Sequence, residues 1–327
     1  LYLFDSVLSF NYGEQNVRIR NEIEILSDVG AIFLNSEFSE SASLNDIDSE
    51  DIVDMFDAIA NSDFITSMIP LGIEVGSEYM ETDIEIPVED LYAIDWKAEI
   101  STLGAIVAVG FDLVNTAGIL DDEVDLTTVT LEGADVRELF DALSDSELAT
   151  LGAYIAMEPL LANMGQSVEA IVTVPDDMEW SDEFAAFGLV AEAILDTGIS
   201  VGDLQSADPT LIISAMSDLD FTVLLNSTIV SHALKNIFDG TAGIEGMELI
   251  VVPDGVVWFD TYDVNGDLET AGELRNILLA VNSITDVADG FDFENINLNV
   301  IADFENETIY TLFNSEVLVA TISGFIL

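Results

Sequence analysis

Long apolar stripes at helical spacing alternate along this chain with acidic stretches that also hold Ser and Gly. After Glu99 the apolar positions are Leu103, Ile106, Val107, Val109 and Phe111. After Glu183 come Phe187, Leu189, Val190, Ala193, Ile194 and Leu195, and after Glu273 come Ile277, Leu278, Leu279 and Val281. Stripes this wide predict helices packed on more than one side. Each begins near a Glu, where a helix dipole favours negative charge. Shorter helices are predicted over Ile52, Val53, Met55, Phe56 and Ile59, and over Val136, Leu139, Phe140 and Leu143.

Two phrases recur in fixed order. The first, Glu-apolar-x-x-apolar, occurs as Glu22-Ile23…Leu26, Glu99-Ile100…Leu103, Glu183-Phe184…Phe187 and Glu273-Leu274…Ile277. The second, Asx-Ser before an apolar run, occurs as Asn61-Ser62, Asp145-Ser146, Asn226-Ser227 and Asn314-Ser315. Phe56, Phe140 and Phe221 precede the Ser by a constant interval, and Ile309 takes that place in the last copy. Two independent markers predict a tandem array of units of about 80–90 residues. The expected fold is α+β and predominantly helical, with short strands or hairpins between units. The boundaries are 1–16 for the end of a preceding unit, then 17–83, 84–170, 171–248 and 249–327. Each Ser is expected at a helix N-cap, accepting a bond from an orphan backbone N–H. A nucleophilic Ser would need a base, and no His or Lys recurs beside these four.

Between the helical stretches the texture changes. Ile84-Glu85-Ile86-Pro87, Ile171-Val172-Thr173-Val174-Pro175 and Leu249-Ile250-Val251-Val252-Pro253 read as short or edge strands ended by Pro. Pro253-Asp254-Gly255 reads as a hairpin turn. Trp96, Trp180 and Trp258 follow these runs and are expected to anchor packing at the junctions. Phe4-Asp5-Ser6-Val7-Leu8 echoes Phe313-Asn314-Ser315-Glu316-Val317-Leu318. With Leu1 at the start, no leader pattern and an apolar run to Leu327, the chain is expected to be a mature or trimmed piece whose uncapped ends meet a further copy.

Charge changes the picture. Against 64 acidic residues stand 6 Lys and Arg, for a formal charge of −58. Self-repulsion of this size calls for screening by salt or divalent cations. A saline or calcium-containing exterior is expected, with an acidic host proteome as the plain alternative. The scattered bases exclude a nucleic-acid surface and disfavour an anionic membrane face. Half the residues are apolar, enough for a continuous core. There is no cysteine, so disulfides and thiolate chemistry are excluded. Leu103–Leu120 is apolar enough to suggest a membrane span, but Asp112 and Asn115 favour a buried helix.

Candidate chemistry is sparse. Asp263, Asn265, Asp267 and Glu269 place oxygen ligands at alternate positions, and the stretch resembles the calcium loop of dockerins and EF-hands. Leu268 stands where that loop has its turn Gly, and Leu274 where it has its closing Glu. The other reading is a strand-to-helix turn. The clusters Asp48, Glu50, Asp51, Asp54 and Asp121, Asp122, Glu123, Asp125 suit either diffuse calcium capture or a solvated face. No cofactor is required, and calcium is the one candidate. His232 is the single histidine. No phosphate-binding, dinucleotide, nucleophile-elbow or zinc-protease motif occurs, so no enzyme activity is expected. Asn226-Ser227-Thr228 and Asn306-Glu307-Thr308 match the N-glycosylation triplet.

The order Pro, Trp, Glu-led helix, Phe, Asx-Ser helix is similar to the repeat texture of very long tandem-repeat secreted bacterial surface proteins. That resemblance implies adhesion, sheath or filament roles rather than catalysis. The expected function is therefore a structural repeat protein forming an extracellular filament, sheath or surface layer. Its partners would be copies of itself, without nucleic acid or membrane insertion. The alternative is a monomeric adhesin or carbohydrate-binding repeat module on a cell surface.

Overall fold

A computed structural model describes residues 9–12, 15–35, 48–79, 87–119, 128–164, 171–176, 178–200, 202–203, 219–243, 249–287 and 306–326. The chain divides into two compact units. The first comprises Leu1–Pro159 with Trp180–Gly188, the second Leu160–Glu179 with Leu189–Leu327. Both are predominantly helical, as the periodicity predicts.

The first unit opens with an antiparallel hairpin, β1 (Ser9–Tyr12) and β2 (Gln15–Arg18). It runs into α1 (Ile19–Asn35), then α2 (Ser49–Ala60) and α3 (Asp63–Tyr79). Asp48 caps α2 by accepting the Glu50 N–H at 3.0 Å. After the short α4 (Val88–Ala93) comes α5 (Trp96–Thr116), capped by Asp95 through the Lys97 and Ala98 amides. Then follow α6 (Gly133–Ser144), α7 (Glu147–Met164) and the start of α8 (Trp180–Leu195). Trp96, at the first position of α5, is buried with Leu91 and Ile94 against Ile69, Ile73, Leu148 and Leu151. Its indole N–H donates to the Leu91 carbonyl at 2.9 Å, so the ring buries its area without an unmet donor.

Helix α5 lies along α2, and its close approach is made by a glycine. A Cβ at Gly104 would sit 2.5 Å from the Phe56 Cβ. The same arrangement returns where α8 meets α6: a Cβ at Gly188 would lie 3.0 Å from the Phe140 Cβ, and Phe140 packs on Phe187 at 6.2 Å between ring centroids. Helix α5 is, among the described residues, long and apolar enough to cross a membrane by length and composition. Here its Trp96, Glu99, Ile100, Gly104 and Ala108 are buried within the unit.

The second unit contains a 3-10 helix (Phe221–Asn226), α9 (Thr228–Phe238), the hairpin β3 (Thr261–Tyr262) with β4 (Leu268–Thr270), α10 (Glu273–Val287), α11 (Asn306–Asn314) and α12 (Glu316–Ile326). Its buried apolar residues include Ile229, Leu274, Ile277, Leu278, Ala280 and Val317. Helix α10 is central, packing on the 3-10 helix, α9, α11 and α12.

The structure corrects the strand expectations. Residues 171–175 and 249–253 are not strands, and Pro253-Asp254-Gly255 turns without strands on either side. The reason is visible in their hydrogen bonds. Asn236 on α9 donates to the Ile171 carbonyl at 3.0 Å and to the Thr173 hydroxyl at 2.9 Å. The Val251 N–H donates to the Thr321 hydroxyl of α12 at 2.9 Å. Helix side chains satisfy these β-branched segments, so no ladder is needed. The hairpins instead lie at residues 9–18 and 261–270. Residues 84–86 and the Phe4–Leu8 echo lie outside the described residues.

The glycine contacts yield a paired test. Overpacking costs about 1–3 kcal/mol, whereas replacing Gly by Ala at an open helix position gains about 1 kcal/mol. Gly104→Leu is expected to lower the urea midpoint markedly. Gly152→Ala on α7, where a Cβ meets nothing within 4 Å, is expected to raise it.

Candidate functional site

In three of their four copies the two phrases that recur along the sequence meet in space. Ser62, Ser146, Ser227 and Ser315 are all buried, and each hydroxyl accepts the amide three residues on at 3.0 Å, from Ile65, Ala149, Val230 and Leu318. The N-cap expectation holds at all four. The hydroxyl also has a proton to give. Ser146 donates to the Glu99 carboxylate at 2.5 Å, while the other Glu99 oxygen accepts the Glu147 N–H at 2.9 Å. Ser62 donates to Glu22 in the same way, and Glu22 accepts the Phe64 N–H at 3.3 Å. Ser315 donates to Glu273, which accepts the Glu316 N–H at 3.2 Å and the Val317 N–H at 2.9 Å. Glu183 and Ser227 are likewise both buried.

This revises the role expected for the Glu. Its carboxylate completes the N-terminus of a helix whose capping Ser lies 40, 47 or 42 residues later, rather than serving its own first turn. The positive end of that helix and its orphan N–H groups supply what a buried carboxylate requires. The Ser62, Ser146 and Ser315 hydroxyls are engaged as both donors and acceptors and sealed from solvent. Sequence reading finds both phrases but not their contact; the signal was their shared order and interval.

A second arrangement is a cleft of about 590 Å³ in the second unit. It is lined by Asp220, His232, Trp258, Asp260, Tyr262 and Arg275 among others. The His232 Nδ1–H donates to the Thr228 carbonyl at 2.9 Å, leaving Nε2 as an acceptor. Its ring lies on Phe259 at 4.6 Å. Among the described residues no carboxylate is hydrogen-bonded to it. Lys235 pairs with Asp239 at 2.6 Å and lies 6.0 Å from the Trp258 ring centroid. Trp258 is half-buried, where Trp96 and Trp180 are core residues.

An ion pair sits at the edge of this cleft. Arg275 donates to one Asp260 oxygen from Nε at 2.7 Å and Nη2 at 2.5 Å, and the Gly272 N–H donates to the other at 2.7 Å. Burial raises the Asp260 carboxyl, but these hydrogen bonds and the Arg275 charge outweigh it and hold the group below its ordinary value. Glycine is required at 272, because a Cβ there would overlap the Phe259 backbone. That contact lets the Val257 and Trp258 carbonyls accept the Glu273 and Leu274 amides at 2.7 and 3.1 Å.

Asp263, Asn265, Asp267 and Glu269 lie on the β3–β4 hairpin. One Asp263 oxygen accepts the Asn265 N–H at 2.8 Å and the Asp267 N–H at 3.1 Å. The turn closes through Gly266, whose φ is 83°. Those amides hold the Asp263 carboxyl below its ordinary value. Among the described residues no group of three or more metal-ligating side chains converges. In the triplet at Asn226, Ser227 is buried and the Asn226 side chain donates to the Val223 carbonyl at 2.9 Å.

Two measurements follow from these contacts. In a double-mutant cycle by urea unfolding, Ser146→Ala and Glu99→Ala should each cost about 2–4 kcal/mol, with a coupling of about 1–3 kcal/mol. Independent effects would break the assignment of this contact. For Asp260, the folded-state pKa lies below the unfolded value of about 3.8, so acid favours unfolding at this site. Asp260→Asn should therefore cost about 2 kcal/mol near neutral pH. Its deficit relative to the native chain should shrink as the pH falls below about 3.8.

Comparison of this chain with protein-family profiles, with characterised proteins and with solved structures finds no match.

Proposed function

We propose that the chain is a tandem-repeat structural protein, with units bounded near residues 83, 170 and 248, that builds an extracellular filament, sheath or surface layer from copies of itself. The observation that carries this reading is the Glu–Ser–amide contact, made in the same order by α1 with α3, α5 with α7, and α10 with α12. Each contact joins a long helix to a capped helix across a shorter one. The successive Gly-on-Phe contacts, Gly104 on Phe56 and Gly188 on Phe140, are the junctions between units. An array of this kind stacks by nearest-neighbour burial and needs no reactive group. The chain acts without catalysis, and calcium or salt serves it by neutralising its 64 carboxylates.

A second reading, a monomeric adhesin or carbohydrate-binding module, is favoured by the cleft beside Trp258 and Tyr262. An aromatic face beside a charged pair suits a polar ligand with an apolar side.

Electron microscopy and light scattering at about 0.05 M and about 1 M NaCl separate the two readings, since the screening length falls to about 3 Å at the higher salt. Regular polymers that grow with salt are expected. Discrete monomers in every condition select the binding module. Millimolar calcium acting beyond its ionic strength, and losing that effect in Asp263→Asn with Asp267→Asn, would locate a specific calcium site at the hairpin.

A further inference from the structure

The cleft in the second unit carries hydrogen-bonding capacity that the folded chain does not use. Ser231 on α9 lines it and is 6% exposed, yet its hydroxyl has no hydrogen-bond partner among the described residues. Burying a hydroxyl without a partner is unfavourable, and a ligand group that bonds it relieves that penalty. Three other side chains of the lining add to this capacity. His232 keeps Nε2 as an acceptor, because its Nδ1–H is held by the Thr228 carbonyl. Asp220 receives the Thr222 N–H, the Thr222 hydroxyl and the Asn282 side-chain amide on Oδ1, at 3.0, 2.7 and 2.6 Å. Its Oδ2 accepts no hydrogen bond among the described residues. The Trp258 indole N–H likewise has no acceptor among them. Together these groups offer acceptors, a donor and a hydroxyl that is both.

An apolar platform belongs to the same cleft. Tyr262 on β3 lines it and is 56% exposed. The Tyr262 hydroxyl donates to Asp260 Oδ2 at 3.3 Å, the oxygen that Arg275 also holds. The ring is therefore positioned before a ligand arrives, which lowers the ordering cost of binding.

Charge narrows the ligand class. Arg275 is committed to Asp260, so an anion would meet the Asp220 carboxylate in a chain of net charge −58. An ammonium ion cannot accept from the Trp258 N–H, and the Lys235 ammonium already lies 6.0 Å from that ring's centroid. A neutral sugar suits every part. Its hydroxyls both donate and accept, and its C–H face packs against an aromatic ring. The cleft, at about 590 Å³, falls within the span of about 300–1,000 Å³ for small-molecule sites.

We infer that this cleft binds a neutral pyranoside, stacked on Tyr262 and hydrogen-bonded to Ser231, His232, Asp220 and Trp258. This rests on the carbohydrate-binding reading above and gives it a ligand class and the residues that hold it.

The test titrates the full chain with methyl glucoside, methyl galactoside, methyl mannoside, glucuronate and glucosamine, by calorimetry and ligand-observed NMR. At least one neutral glycoside should bind with a Kd of about 1 mM or below, and more tightly than glucuronate or glucosamine. Tyr262→Ala should weaken that binding at least about tenfold, while Tyr262→Phe, which keeps the ring, should retain most of it. Ser231→Ala should weaken it about tenfold without lowering Tm, because the hydroxyl it removes has no partner in the folded chain. Tyr154→Ala, at an exposed residue of the first unit, should bind as the native chain does. Neutral-sugar binding that survives both Tyr262→Ala and Ser231→Ala, or that is lost in Tyr154→Ala, overturns this site and leaves the carbohydrate-binding reading standing. Tighter binding of glucuronate or glucosamine overturns the neutral class. Binding of none of the five overturns both the site and that reading.

Discussion

A buried carboxylate must be met by donors, and in this chain cations are too few to do it. Glu99 and Glu273 lie almost wholly inside their units. Moving such an ion out of water costs several kcal/mol even after relaxation. The usual partner would be Lys or Arg, yet 6 bases serve 64 acids. The N-terminus of a neighbouring helix takes their place, with backbone amides, a capping hydroxyl and the positive end of the dipole converging on the carboxylate. A contact of this kind is directional. It sets which helix ends meet, at which residue and in what orientation, whereas apolar packing alone tolerates sliding.

The same scarcity of cations orders the rest of the molecule. Where a guanidinium is available, at Arg275, it is committed to Asp260 and ties the approach to α10 to the body of that helix. Elsewhere Asp95, Asp220 and Asp263 give their oxygens to local amides as caps and turns. These carboxylates are structural parts of helix entries and loops. Exposed carboxylates among the described residues repel one another over a range set by the ionic medium.

Glycine marks two places where helices of the first unit touch closely. Gly104 and Gly188 bring backbone against Phe56 and Phe140, trading helix propensity for contact area. Long and capped helices are thus held by polar contacts at their ends and, at Gly104 and Gly188, by apolar contacts along their flanks. The cleft beside Trp258 stands apart from both. It arises where the β3–β4 hairpin and its approach fold back against the start of α10.

Much of the architecture was legible in the amino-acid order alone. Helical periodicity marked the long and short helices, because an apolar stripe of that width has few other uses. The Asx-Ser pairs marked four N-caps, because the need of the first amides for an acceptor is local. The β-branched runs misled: Ile171–Val174 and Leu249–Val252 have strand composition, but Asn236 and Thr321 meet their polar groups from helices distant in sequence. The hairpin turn was likewise misplaced, since Asp263 and Gly266 rather than Pro253–Gly255 bring two extended segments together. What the sequence determined by itself were the elements and their caps, which depend on neighbours a few residues away. Only the tertiary structure decided that Glu22, Glu99 and Glu273 each bond the Ser some forty residues on, because that choice rests on which helix end burial brings to a carboxylate that has left water.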